Sequence, residues 1–190
     1  MMHPAKLIWG IRTVFYKPFF DDIGILSYMG KPCFLEGTRH IRIGKRTRVF
    51  PGIRMEAIGN GRIIIGDNCA IEQNVHITSM ESNLIIGNNV TIAANTFITN
   101  LDHEYRDITK SVMEQGHILS ETRIGDGCFI GYGAAIQAGT VLGKHCVVGT
   151  NSVVRGEFED YSVIVGVPAR VVKKYNISLK RWENIDEKQK

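Results

Sequence analysis

Residues 124–154 read IGDGCFIGYGAAIQAGTVLGKHCVVGTNSVV. Every sixth position is aliphatic: Ile124, Ile130, Ile136, Leu142, Val148 and Val154. The same beat runs upstream through Ile43, Val49 and Met55, through Ile65, Ile71 and Ile77, and through Ile86, Ile92 and Ile98. Glycine directly follows seven of these fifteen residues (Gly44, Gly66, Gly87, Gly125, Gly131, Gly143, Gly149). The position four after each aliphatic is usually small: Thr47, Cys69, Val75, Val90, Thr96, Cys128, Ala134, Thr140, Cys146 and Ser152. Such a period fits neither an amphipathic helix nor a hairpin meander. It fits an all-β parallel β-helix, whose short strands meet at turns and whose coils stack. The aliphatic residue points inward, the small residue sits inward near a cramped corner, and glycine tolerates the backbone of a tight turn. Three units make one coil of about eighteen residues. The windows then group as five coils over residues 43–60, 65–82, 86–103, 124–141 and 142–159.

The interruptions point to function. Between Ile98 and Ile124 the chain carries twenty residues beyond the repeat, and a loop this long in a compact repeat domain is more often functional than idle. It spans residues 100–122 and includes His103 and His117. Three exceptions to the small-residue rule, Glu81, Asp102 and Phe158, sit in third units, where the chain leaves the helix or the helix ends; Ile53 is a fourth with no evident reason. The organisation read from this is a capping segment at 1–40, a β-helix domain at 41–168 and a C-terminal segment at 169–190. Residues 5–20 are apolar and aromatic with interspersed basic residues, and they are expected to form a helix that closes the open end of the stack, as solenoids require. The polar tail 178–190 is expected to be a short helix.

The 190 residues carry a formal net charge of +4, unevenly placed. Nine Lys or Arg fall within residues 1–48 against Asp21, Asp22 and Glu36. The default reading is a solvated face; the sharper one is contact with an anionic ligand or peripheral contact with an acidic membrane surface. Nucleic acid is not expected as a partner. No apolar run is long enough for a membrane span. The four cysteines have neither disulfide nor zinc spacing, and three occupy core positions, which fits a reducing cytoplasmic setting.

The repeat, the stretch 97–103 (FITNLDH), the stretch 124–154 and the ending 165–174 (VGVPARVVKK) together resemble the hexapeptide-repeat acyltransferases, over about residues 30–176. Within that family the look is of maltose, galactoside and nodulation-type sugar O-acetyltransferases, including those serving surface polysaccharide. The resemblance implies a left-handed β-helix, a homotrimer, acetyl-CoA as donor, no required metal, and a sugar or polysaccharide-precursor hydroxyl as acceptor. N-acetylation of an amino sugar is the alternative acceptor chemistry. A non-catalytic scaffold and a γ-carbonic-anhydrase-like zinc enzyme are less favoured, the latter because the histidines offer no closely spaced pair.

Acetyl transfer to an alcohol needs a base, and histidine, titrating near neutral pH, suits that role. His103, at the mouth of the inserted loop, matches the family's catalytic histidine. Asp102, Glu104 or a backbone carbonyl would fix its tautomer. His76 is read as a candidate acceptor contact, whereas His3, His40, His117 and His145 are read as surface residues. The family position of an asparagine near the acceptor reads Glu72 here, with Asn74 two residues on, so Asn74 or backbone amides would serve the oxyanion, or Glu72 would bind acceptor hydroxyls. By resemblance Tyr132, Gly133, Gly149, Thr150 and Arg155 line the donor groove, and Arg170 and Lys173 approach the CoA phosphates.

Overall fold

The computed structural model describes residues 4–185. The fifteen aliphatic residues of the beat form the axis of a parallel β-helix, and none is more than 1% exposed. The ten small residues are equally buried and fill the corners. The first face stacks Asp22–Ile23, Ile41–Ile43, Arg62–Ile65, Asn83–Ile86 and Thr122–Ile124. The second stacks Tyr28–Met29, Arg48–Val49, Ala70–Ile71, Thr91–Ile92, Phe129–Ile130, Val147–Val148 and Ser162–Gly166. The third stacks Phe34–Glu36, Arg54–Ile58, His76–Met80 and Phe97–Thr99. Two longer strands, Ala135–Leu142 and Val153–Phe158, bend from the third face onto the first and join the two.

The stack is longer than the sequence reading assigned. Ile23, Met29 and Leu35 keep the six-residue beat, Gly24 and Gly30 follow the first two, and their strands pair in parallel with the next coil. The β-helix therefore begins at Asp22, inside the segment expected to be cap alone. At the other end Phe158 is not a misplaced small residue. It opens a seventh turn on the first face, opposite Leu142, and the beat resumes six residues later at the buried Ile164. The result is six complete coils and two faces of a seventh. Ile53 is fully buried on a corner between Cys33 and Val75 of the adjoining coils.

The glycines act differently from the turn role expected of them. Gly44, Gly66, Gly87 and Gly125 do not adopt left-handed angles; a Cβ on any of them would lie 2.4–2.6 Å from an atom of the next coil. Close coil stacking, not turn geometry, demands them. The left-handed residue comes two positions later, at Arg46, Asn68, Asn89 and Gly127. Asparagine suits that conformation because its short polar side chain bonds locally. Carboxylate and amide side chains at the same corner bind the coils: Asp67 Oδ1 accepts from Lys45 N, Asn88 Oδ1 from Asp67 N, and Asp126 Oδ1 from Asn88 N.

The N-terminal helix Pro4–Tyr16 caps the first coil as expected. Trp9 packs on Tyr28 and Phe50, and the Thr13 hydroxyl accepts from Met29 N at 2.7 Å. The C-terminal segment is not helical where described. Ala169–Asn176 folds back antiparallel on Ser162–Gly166, and Arg181–Asn184 adds a further antiparallel strand. Trp182 stacks edge-on against Tyr175, so cross-strand packing overrides the polar composition that suggested a helix. Residues 186–190 of that tail lie outside the described residues.

Candidate active site

The twenty-odd inserted residues leave the coil at the corner between the third and first faces and form a projecting arm. Leu101–His103 pairs antiparallel with His117–Leu119, which sets His103 opposite His117 with ring centroids 4.9 Å apart. Asn100 fixes the root of the arm. Its fully buried side chain accepts from Met80 N at 2.8 Å and donates to the Met80 carbonyl and the Ser82 hydroxyl. Thr122, where the chain re-enters, donates to the Thr99 carbonyl. The far end of the arm is ordered by its own polar groups. Ser111 and Glu114 form a capping box, and the Gln115 amide donates to the carbonyls of Asp107 and Lys110.

His103 stands where two clefts meet. One, of about 410 Å³, runs along the outside of the third face and is lined by His76, Thr78, Phe97, Thr99, His117 and Gln137 among others. The other, of about 560 Å³, lies toward the C-terminal coils and is lined by Tyr105, Arg106, Ser120, Gly139 and Arg155 among others. Asp102, His103 and Gln137 line both. Neither neighbouring carboxylate orients the His103 ring. Asp102 is ion-paired with Arg155, and Glu104 accepts from the amides of Tyr105 and Arg106 and faces the Arg106 guanidinium. His117, read as surface from sequence, belongs to this site.

His76 and Thr78, which line the first cleft, join Arg54 and Glu56 in a polar cluster beside it, and sequence reasoning missed Arg54, Glu56 and Thr78. Glu56 Oε1 accepts from Arg54 at 2.7 Å, and Glu56 Oε2 accepts from Thr78 at 3.1 Å and lies 2.9 Å from His76 Nε2. The Arg54 hydrogen bond, aided by those from His76 and Thr78, holds the Glu56 carboxyl down at about 2 against the cost of burial. Repeat arithmetic contains the signal. Each outward position next to a third-face aliphatic joins an axial column, so that Glu56 pairs with Thr78, Thr78 with Thr99, and Gln137 and Arg155 follow beside Ile136 and Val154.

The other expected site residues fall in two places. Glu72, Asn74, Tyr132, Gly133, Gly149 and Thr150 all lie on the ridge between the second and third faces. There Asn95 N donates to the Gln73 carbonyl, Gly133 N to Ala94 and Asn151 N to Tyr132. Glu72 accepts from Ala94 N at 3.2 Å, and Asn74 is a left-handed turn residue. None of the six lines the clefts at His103. Arg170 and Lys173 project, exposed, from the reversing strand Ala169–Asn176. His76, His103 and Arg155 are thus brought together, whereas the ridge and the C-terminal hairpin form separate parts of the surface. His40 and His145 lie away from both clefts, and His3 is outside the described residues. Among the described residues no three His, Cys, Asp or Glu side chains converge closely enough to hold a metal ion.

A β-helix with an arm bearing an exposed histidine between two clefts matches a recognised class. The profile described as "Bacterial transferase hexapeptide (six repeats)" matches residues 121–156, and "Hexapeptide repeat of succinyl-transferase" matches residues 62–79 and 84–100. WbbJ of Escherichia coli K12, a protein named as a lipopolysaccharide biosynthesis O-acetyl transferase, is 37% identical over 176 residues, covering 88% of this chain and 87% of that one. The galactoside O-acetyltransferase of the same organism is 28% identical over 92% of this chain and 72% of its own. Among solved structures, galactoside acetyltransferase in complex with coenzyme A superposes with a TM-score of 0.66 at 22% identity, over 97% of this chain and 79% of that chain. AntD, an N-acyltransferase from Bacillus cereus in complex with dTDP and 3-hydroxybutyryl-CoA, does so with a TM-score of 0.75 at 18% identity, over 88% and 90%. The chain belongs to the hexapeptide-repeat transferase family and is an acetyltransferase of that family.

Proposed function

We propose that the protein transfers the acetyl group of acetyl-CoA to a hydroxyl of a sugar or surface-polysaccharide precursor, with His103 as general base. The observation that carries this reading is the placement of His103 at the junction of two clefts, where one reactant can approach from each side. The acceptor enters along the third face, past His76, Thr78 and Glu56. The thioester arrives from the side of Arg155 and Arg106. The His103 imidazole takes the acceptor's proton as the oxygen attacks the thioester carbonyl. When the tetrahedral intermediate collapses, the CoA thiolate leaves and receives that proton. The Gln137 amide, shared by both clefts, is a neutral donor suited to the oxyanion. Cys69, Cys128 and Cys146 are buried in the core and the exposed Cys33 lines neither cleft, which favours direct transfer over an acyl-cysteine intermediate.

Oxygen rather than nitrogen as the nucleophile follows the two relatives named for O-acetyl transfer. A homotrimer completes the site in this reading. The arm holds Tyr105, Ile108 and Met113 exposed on a rigid tip, as a side chain docking on an adjoining protomer would be. The donor phosphates then reach Arg170 and Lys173, the ridge residues Tyr132, Gly133, Gly149 and Thr150 flank the pantetheine arm, and Glu72 and Asn74 face the acceptor. Reduced core thiols fit a cytoplasmic setting.

The test is thiol release from acetyl-CoA across a panel of sugars, sugar nucleotides and oligosaccharides. His103→Ala is expected to keep the circular dichroism and assembly mass of the native protein and to lose about 100-fold or more in acetyl transfer. Near-native turnover in that variant rejects His103 as the base. Release of thiol with amino sugars alone overturns the hydroxyl acceptor.

A further inference from the structure

The N-terminal helix has two apolar faces, and capping the coil uses only one. Trp9, Thr13 and Tyr16, spaced three and four apart, face the first coil, where Trp9 meets Tyr28 and Phe50 and Thr13 bonds Met29. Leu7, Ile8, Ile11, Val14 and Phe15 recur with the same spacing on the far side, and each is 54–71% exposed. Phe19 continues the apolar surface just beyond the helix. Five large apolar side chains in one stripe exceed the scattered exposure ordinary for a soluble surface.

The charges around this stripe are of one sign. At 100° per residue Arg12 borders the stripe, Lys6 lies further round beside Thr13, Lys17 follows the helix, and no acidic residue lies between Pro4 and Phe20. The nearest acid, Asp21, is occupied by Arg62 at 2.7 Å and Arg42 at 3.8 Å. Two copies brought face to face would set these cations against one another with no partner, which disfavours self-association. A bilayer containing anionic lipid offers both apolar depth and negative charge.

We infer that the outer face of the helix Pro4–Tyr16 docks the protein on an anionic lipid surface. The helix lies in the interfacial plane, sinking Leu7, Ile11, Val14 and Phe15 while Arg12 and Lys17 reach lipid phosphates. At thirteen residues it lies on the bilayer and does not cross it. Trp9 and Thr13 couple it to the first coil, so the whole stack is held at the surface. Docking requires nothing of His103 and is separable from the acceptor assigned above.

The experiment is co-sedimentation of the full chain with vesicles of phosphatidylcholine alone or with one-third phosphatidylglycerol. The native protein is expected to pellet with the anionic vesicles, to stay largely in solution with the neutral ones, and to be released by high salt. The double substitution Ile11→Glu and Phe15→Glu should lower partitioning by about 100-fold or more while leaving the β spectrum and thiol release intact. Arg12→Glu with Lys17→Glu should lower it by about tenfold or more. Absence of native binding, or binding unchanged in both variants, overturns the inference. So does a loss of assembly mass by light scattering in the first variant without any vesicle binding by the native chain, which would make the stripe a contact between copies.

Discussion

At the scale of single residues the site is built from outward positions whose neighbours belong to other coils. Glu56 is the clearest case. It is separated from His76 and Thr78 by about one coil of chain, yet one carboxylate oxygen contacts both. Its depressed pKa carries a sign that can be checked. A carboxyl held below its ordinary value stabilises the fold at pH above that value, and the contribution fades as pH falls from about 4.5 toward about 2. Arg54 is half exposed, so solvent screening reduces the effect to about 1 kcal/mol. Glu56→Gln is therefore expected to flatten the acid limb of thermal stability over that window. It should also raise KM for the acceptor several-fold more than KM for acetyl-CoA. Equal changes in the two KM values would remove Glu56 from the acceptor side. The position of His103 at the root of the arm was legible from its place at the mouth of the inserted loop. The Glu56 column was legible only as a set of positions beside the third-face aliphatics; which of those side chains touch became clear once coil-to-coil register was fixed.

At the scale of elements the arm is the feature that distinguishes this β-helix from an inert stack. Its position follows from the corner between the third and first faces, where the early coils already carry extra residues and the last two bend through in one strand. Asn100 is the hinge pin: its side chain bonds Met80 and Ser82 of the preceding coil, and its backbone carbonyl accepts from Ser120 N on the returning side of the arm. Asn100→Ala leaves the part-buried Met80 N–H without its acceptor, at a cost of about 1 kcal/mol. It is expected to lower the melting temperature and to depress kcat more than either KM, because the arm carries His103. Native kcat with a lowered melting point would confine Asn100 to stability. The C-terminal hairpin is a second lesson at this scale. The polar tail looks helical in composition, but Tyr175 and Trp182 stack across two strands and the Asn176 side chain donates to Glu183. Pairing partners, not intrinsic propensity, decide such a segment.

At the scale of the whole molecule the surfaces proposed for function lie along one axis. The capping helix is at the N-terminal end, the arm and its clefts are in the middle, and the hairpin bearing Arg170 and Lys173 is at the C-terminal end. Arg170→Ala is expected to raise KM for acetyl-CoA about tenfold, the scale of one charged hydrogen bond, with KM for the acceptor nearly unchanged. Steady-state kinetics with each substrate varied in turn checks this, and an unaltered KM for acetyl-CoA excludes Arg170 from the donor site. The sequence alone determined the β-helix, its inward residues and the point where the arm departs, because a six-residue period leaves one way to bury a continuous aliphatic core. Even the first coil was written in Ile23, Met29 and Leu35. Only the tertiary structure decided which outward side chains meet, which glycines serve coil contact and not turns, and that the N-terminal helix keeps a second apolar face. Those facts depend on the distance between stacked coils and on what packs against what, and no period along the chain records either.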